Sequence, residues 1–156
     1  MAVSSTKKIL IIEDSPEKAR AISKCLSEIK PRFELVHTET IIVAGQLLEH
    51  EKWSGIVLDL AFHRNQQTGS VLNRPYLAGV EILQQMNELR LVCPVVIATQ
   101  HSSFISTKYG DFHSLEDLCK VLRKVFPENF RELIEVDFGE NEWRNQLVIS
   151  ARKHFQ

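Results

Sequence analysis

Three observations predict an α/β chain with one parallel sheet covered by helices on both faces. Short, largely β-branched apolar runs recur along the sequence, at Lys8 to Ile12 (KILII), Gly55 to Leu60 (GIVLDL) and Pro94 to Thr99 (PVVIAT). Segments with apolar residues at helical spacing separate them, so strand and helix signals alternate from the start. Strands apolar on both faces belong to parallel sheets, whose right-handed crossovers lay helices over each side. No repeat, linker or low-complexity stretch divides the 156 residues, so one domain over 1–156 is expected.

Each element follows in order. KILII closes on Glu13, Asp14, Ser15 and Pro16, an acidic turn into a helix start with proline at the first helical position. Ala19, Ile22, Leu26 and Ile29 then recur at helical spacing. Phe33 to His37 alternates like a strand, and Ala44, Leu47 and Leu48 mark a helix up to about Glu51. GIVLDL is a continuous apolar strand with Asp59 set into its carboxyl end. Gly79 begins a helix with Ile82, Leu83 and Met86 on one face, and PVVIAT is the fourth strand. A polar, serine-rich segment from Gln100 to His113 precedes a helix carrying Leu115, Leu118, Cys119, Leu122 and Phe126. Leu133 to Val136 reads as the last strand, and Trp143, Leu147, Ala151 and Phe155 stripe the terminal helix. Five strands and five helices are expected.

Composition narrows the function. Apolar residues make up 44% of the chain, enough for a full core, and 19 basic residues against 20 acidic give a formal charge of −1. That balance argues against a disordered acidic tail and against a nucleic-acid partner. The apolar runs fall far short of the roughly 18 residues a membrane span requires. The amino end, MAVSSTKK, has no signal-peptide stretch, so no membrane partner and a cytoplasmic location are expected. Cys25, Cys93 and Cys119 are widely spaced and read as reduced thiols. Glu49, His50 and Glu51 lack the spacing of a helical zinc motif and read as a solvated helix end.

In an open parallel sheet, ligands sit outside the carboxyl ends of the strands. Glu13 and Asp14 end the first strand, Asp59 the third and Thr99 the fourth, so all four converge on one edge. Converging carboxylates repel unless a cation intervenes, and hard oxygen ligands suit Mg²⁺.

With those residues in place the chain resembles the receiver domains of bacterial two-component response regulators, the CheY-like family. The resemblance lies in KILIIEDSPEKARAI (Lys8 to Ile22), AGQLLEHEKWSGIVLDL (Ala44 to Leu60), AGVEILQQM (Ala78 to Met86) and CPVVIAT (Cys93 to Thr99). It implies a flavodoxin-like (βα)5 doubly wound fold with strand order 2-1-3-4-5. It also implies Asp59 as phosphoacceptor, Glu13 and Asp14 as the metal-binding acid pair and the Ala61 backbone carbonyl as another ligand of Mg²⁺ or Mn²⁺. Thr99 would be the hydroxyl that meets the phosphoryl group, and a histidine kinase or phosphotransfer protein the partner. Output would run through contacts with a downstream protein.

The sequence departs from the family at the remaining positions. Receivers carry a lysine after the fifth strand that pairs with the phosphoryl group; LIEVDFGE puts Asp137 there and Phe138 where proline is usual. Gln100 replaces a small residue, and aliphatic Ile134 stands at the aromatic switch position. Extended loops are expected at about 60–78 and 100–113, longer than the about 2–6 residues usual for such connections. Lys108, Arg64 and Arg74 on these loops are candidates for a substitute cation. The expected function is a single-domain response regulator, not an enzyme, phosphorylated on Asp59. The alternative is a pseudo-receiver, an interaction module independent of phosphate. An aspartate-nucleophile phosphatase would need a second acid two residues after the nucleophile, where Ala61 stands. A dinucleotide-binding enzyme would need a glycine-rich first turn in place of Glu13-Asp14-Ser15-Pro16.

Overall fold

A computed structural model describes residues 6–60, 79–100, 104–107 and 110–156. Its elements run β1 (Lys8–Ile12), α1 (Pro16–Ser27), β2 (Glu34–Thr38), α2 (Ile41–His50), β3 (Gly55–Leu58), α3 (Gly79–Glu88), β4 (Val95–Thr99), β5 (Phe104–Thr107), β6 (Gly110–Phe112), α4 (Leu115–Val125), β7 (Phe130–Glu135) and α5 (Glu142–His154). A strand such as IleLeuIleIle, apolar on both faces, is stable only deep in a sheet. β1 accordingly pairs in parallel with β2 on one side and β3 on the other. β3 pairs with β4 and β4 with β7, again in parallel. The order β2-β1-β3-β4-β7 is the expected 2-1-3-4-5 arrangement, with β7 as its fifth strand.

Side chains alternate across the sheet with period two and so feed two cores. Leu10, Ile12, Ile56, Leu58, Val95 and Ile97 pack against the buried faces of α2, α3 and α4. Ile9, Ile11, Val57, Val96 and Ala98 pack against α1 and α5. Ser15, Thr40 and Ser114 cap α1, α2 and α4 by accepting from N–H groups three residues on. At the amino edge of the sheet, a Cβ on Gly55 would lie 2.2 Å from the Phe155 ring, so β3 must begin with glycine for the end of α5 to close over it. Asn129, fully buried, ties β4 to β7: its Oδ1 accepts from the Cys93 N–H (2.9 Å) and its Nδ2 donates to the Leu91 carbonyl (3.0 Å).

Two segments differ from expectation. The stretch 100–113, expected as an extended loop, contains the antiparallel hairpin β5–β6, in which Phe104 pairs with Phe112 and Thr107 with Gly110. The run FIST is rich in aromatic and β-branched residues, and an antiparallel partner needs only a short connection. The last sheet strand spans Phe130–Glu135 and not Leu133 to Val136, because buried Phe130 already pairs with Val95. The loop expected at about 60–78 lies, from residue 61, outside the described residues. Among the described residues no helix is long and apolar enough to cross a membrane. Glu49, His50 and Glu51 are exposed at the end of α2, and Cys25, Cys93 and Cys119 are free thiols, as expected.

Candidate functional site

The hydrogen-bond ladder continues one residue past β1 and β3, and that continuation places the acids. The Glu13 N–H donates to the Thr38 carbonyl (3.1 Å), and the Asp59 N–H donates to the Ile12 carbonyl (3.0 Å). Glu13 and Asp59 are thereby fixed side by side at the carboxyl edge, and both are buried, 2% and 5% exposed. Asp14 is half-buried beside them. One carboxylate oxygen from each of Glu13, Asp14 and Asp59 lies within 4.8 Å of the other two. Thr99, fully buried, ends the neighbouring β4.

The same pocket holds a cation. Ser15 caps α1 and accepts from the Lys18 N–H (3.3 Å), which fixes Lys18 in the first helical turn. Side chains on a helix lean toward its amino end, so Lys18 extends back over the strand ends. Its Nζ donates to the Ala98 carbonyl (2.8 Å) and lies 2.9 Å from Glu13 Oε2 and 3.4 Å from Asp59 Oδ1. Lys18 is 1% exposed. A charge so deeply buried persists only when paired, and these three oxygens supply the pairing.

Burial pushes the Glu13 carboxyl up to about 7, and the neighbouring charge of Asp59 adds to the rise. The Lys18 ammonium and the Ser15 N–H, which donates to Glu13 Oε1 (3.1 Å), pull in the other direction without overcoming it. Proton uptake at Glu13 is thus one way to relieve carboxylate crowding; a second cation is the other. With all three acids ionised and Lys18 charged, the group carries two surplus negative charges, the complement of one divalent ion. Clustered carboxylate oxygens are the donors that Mg²⁺ and Mn²⁺ prefer. The residues present therefore fit a hard divalent cation.

Of the residues expected at the site, Glu13, Asp14 and Asp59 come together, and Thr99 stands at the end of the adjacent strand. Ala61, Arg64, Arg74 and Lys108 lie outside the described residues. Asp137 is exposed; its Oδ1 accepts from the Gly139 N–H (2.9 Å) in the turn that leads into α5. Gln100 is exposed directly after Thr99, and Ile134 is buried opposite Ala98 in the β4–β7 register. Lys18 was not among the residues picked out from the sequence. Its signal was its place on the stripe Lys18, Ile22, Cys25, Leu26 and Ile29, where a lysine at an apolar-face position needs buried acids to meet it.

No protein-family model matches the chain. It is 23% identical over 144 residues to the uncharacterized protein y4jR of Sinorhizobium fredii, covering 90% of this chain and 93% of that one. It is 21% identical over 146 residues to the Detocs response regulatory protein DtcB of Enterobacter cloacae, covering 90% and 95%. Among solved structures, the signal receiver domain of a putative Luxo repressor protein from Vibrio parahaemolyticus matches with a TM-score of 0.65 at 22% identity, over 97% of this chain and 91% of that one. The Mn²⁺-bound form of response regulator Rcp1 matches with a TM-score of 0.62 at 16% identity, over 96% and 95%. The fold is that of CheY-like receiver domains.

Proposed function

We propose that this receiver-fold chain is a signalling protein of a two-component phosphorelay, accepting a phosphoryl group on Asp59 and signalling through protein contacts. The observation that carries the reading is the convergence of Glu13, Asp14 and Asp59 at the carboxyl edge of the sheet. Similarity to a response regulatory protein over nine tenths of the chain supports it. Glu13, Asp14 and Asp59, with the Ala61 carbonyl, would hold Mg²⁺ or Mn²⁺. When bound, the ion neutralises the charge that gathers as the phosphoryl group arrives.

The chain's own residues then have separate tasks. An Asp59 oxygen forms a bond to phosphorus while the bond from phosphorus to the donor breaks. With a histidine kinase or phosphotransfer protein as donor, that bond is phosphorus to imidazole nitrogen, and the imidazole departs. Aspartate is a weak nucleophile, so positioning and charge stabilisation supply the rate. The Glu13 and Asp59 backbone bonds hold that geometry, and the Thr99 hydroxyl donates to a phosphoryl oxygen. A downstream protein reads the modified surface.

A second reading, a pseudo-receiver regulated by protein contact alone, is favoured by one observation: the exposed carboxylate of Asp137 where receivers place a cation. Intact-mass analysis after incubation with Mg²⁺ and a small-molecule phosphodonor separates the two. One phosphoryl adduct in the wild type and none in Asp59→Asn supports phosphotransfer. An adduct that survives in Asp59→Asn means a different nucleophile, and none in either protein leaves the pseudo-receiver.

A further inference from the structure

We infer that Lys18 is the resident cation of this site, supplied by α1 in place of the strand-end lysine the chain lacks. In the resting state it competes with a divalent ion for Glu13 and Asp59; once Asp59 carries a phosphoryl group, it pairs with that group. The second half rests on the proposed phosphotransfer to Asp59, whereas the first does not.

Three features carry the inference. The ammonium touches oxygens at the ends of three strands: Glu13 after β1, Asp59 after β3 and Ala98 within β4. It thus sits across the edge at the point where metal and phosphoryl charge would accumulate. It is sealed from solvent, so its interactions are little screened by salt. And its Nζ is already 3.4 Å from Asp59 Oδ1, so a small rotation of a flexible four-carbon stem brings it onto a phosphoryl oxygen. A phosphoryl group carries more charge than the carboxylate it modifies and is the stronger acceptor, which favours that exchange.

The two roles have opposite signatures. Without the ammonium, the carboxylates are less compensated and hold a divalent ion more tightly. The phosphoryl group on Asp59 loses its counter-charge and is held less well. A lysine that only fills space would leave both quantities alone.

The experiment uses the full chain as wild type, Lys18→Met, which keeps the stem volume, and Lys18→Gln, which keeps a donor toward Ala98 but removes the charge. Folding is checked by circular dichroism. Mn²⁺ binding is measured by calorimetry, and fluoroberyllate, a phosphoryl mimic, is followed by fluorine NMR with Mg²⁺ present. We expect Mn²⁺ to bind about tenfold more tightly in the folded variants, and fluoroberyllate at least about tenfold more weakly. Mn²⁺ affinity that is unchanged or lower overturns the inference. So does failure of both variants to fold with Mn²⁺ present, which would make Lys18 structural. If the wild type binds Mn²⁺ but no fluoroberyllate, the phosphotransfer reading has failed, and the metal arm alone decides for or against Lys18 as the metal's competitor. If fluoroberyllate binds wild type and both variants equally, phosphotransfer stands and the pairing role of Lys18 falls.

Discussion

The carboxyl edge of the sheet has two unlike halves. On the β1–β3 side, buried Glu13, Asp59 and Lys18 and half-buried Asp14 pack charge against charge. On the β4–β7 side, the ladder shifts register between Val95 and Val96 but runs on to Thr99 opposite Glu135, and Thr99 is equally buried. Past the strand ends, however, Gln100 and Asp137 face water, and the hairpin β5–β6 follows within a few residues of Thr99. The first half gathers buried charge of both signs, while the second presents exposed polar groups past its strand ends. Among the described residues, the cation at this edge comes from a helix, Lys18 of α1. Where a charge stands at a strand edge need not decide which element delivers it.

The largest expected effect tests whether the β4–β7 half survives as scaffold. Asn129→Ala strands the Cys93 N–H and the Leu91 carbonyl and should cost about 2–4 kcal/mol in denaturant unfolding. Mn²⁺ affinity of the folded variant should not change; a fall in step with stability would break the independence of the halves. Next in size, Asp14→Ala should weaken Mn²⁺ binding at least about tenfold by calorimetry, and Asp137→Ala should leave it unchanged. Equal losses would erase the contrast.

A third test compares how tightly the halves are closed beneath the edge. Burial pushes the Cys93 thiol up to about 12 and the Cys25 thiol up to about 11, one just before β4 and one on α1. In the unfolded chain these thiols lose protons from about pH 9, whereas the native protein keeps them. Between those values the unfolded state binds fewer protons, so stability falls as pH rises. Each thiol should contribute a loss of about 1 kcal/mol by pH 10, seen as a shallower alkaline decline in Cys93→Ala and in Cys25→Ala. Similar changes would confine the difference between the halves to the edge itself. The smallest effect is expected for Asp137→Lys: placing a lysine on an exposed turn, with Lys18 already in the pocket, should alter fluoroberyllate affinity less than about twofold.

Much of this was legible in the sequence. Parallel central strands cannot hide their character, because burial on both faces demands runs such as KILII and PVVIAT, and the pleat then fixes which residues reach each core. The acids were legible because their positions directly after those runs put them on one edge. Lys18 was not, since a lysine in the first turn of a helix is ordinarily solvated and only the three-dimensional meeting of α1 with Glu13 and Asp59 makes its burial favourable. The hairpin was obscured by the polar residues around FIST, and Asn129 by sitting in a short turn, where asparagine is common whether or not its amide ties two strands.

Gly79 has a consequence for how this molecule can vary. A Cβ there would lie 2.3 Å from the Asp59 carbonyl oxygen and 2.7 Å from the Leu60 Cα, and the Gly79 N–H donates to the Leu60 carbonyl (3.1 Å). The chain therefore departs after Leu60 and is back at the same spot when α3 begins, as though drawn through a neck. A chain closed across such a neck is cheap to extend in general, since each doubling of a flexible loop adds only about 0.6 kcal/mol of closure entropy. The neck closes one residue from Asp59. A side chain at position 79 would therefore press directly on the strand end that carries the acid, so the glycine guards the pocket from the far side of the neck.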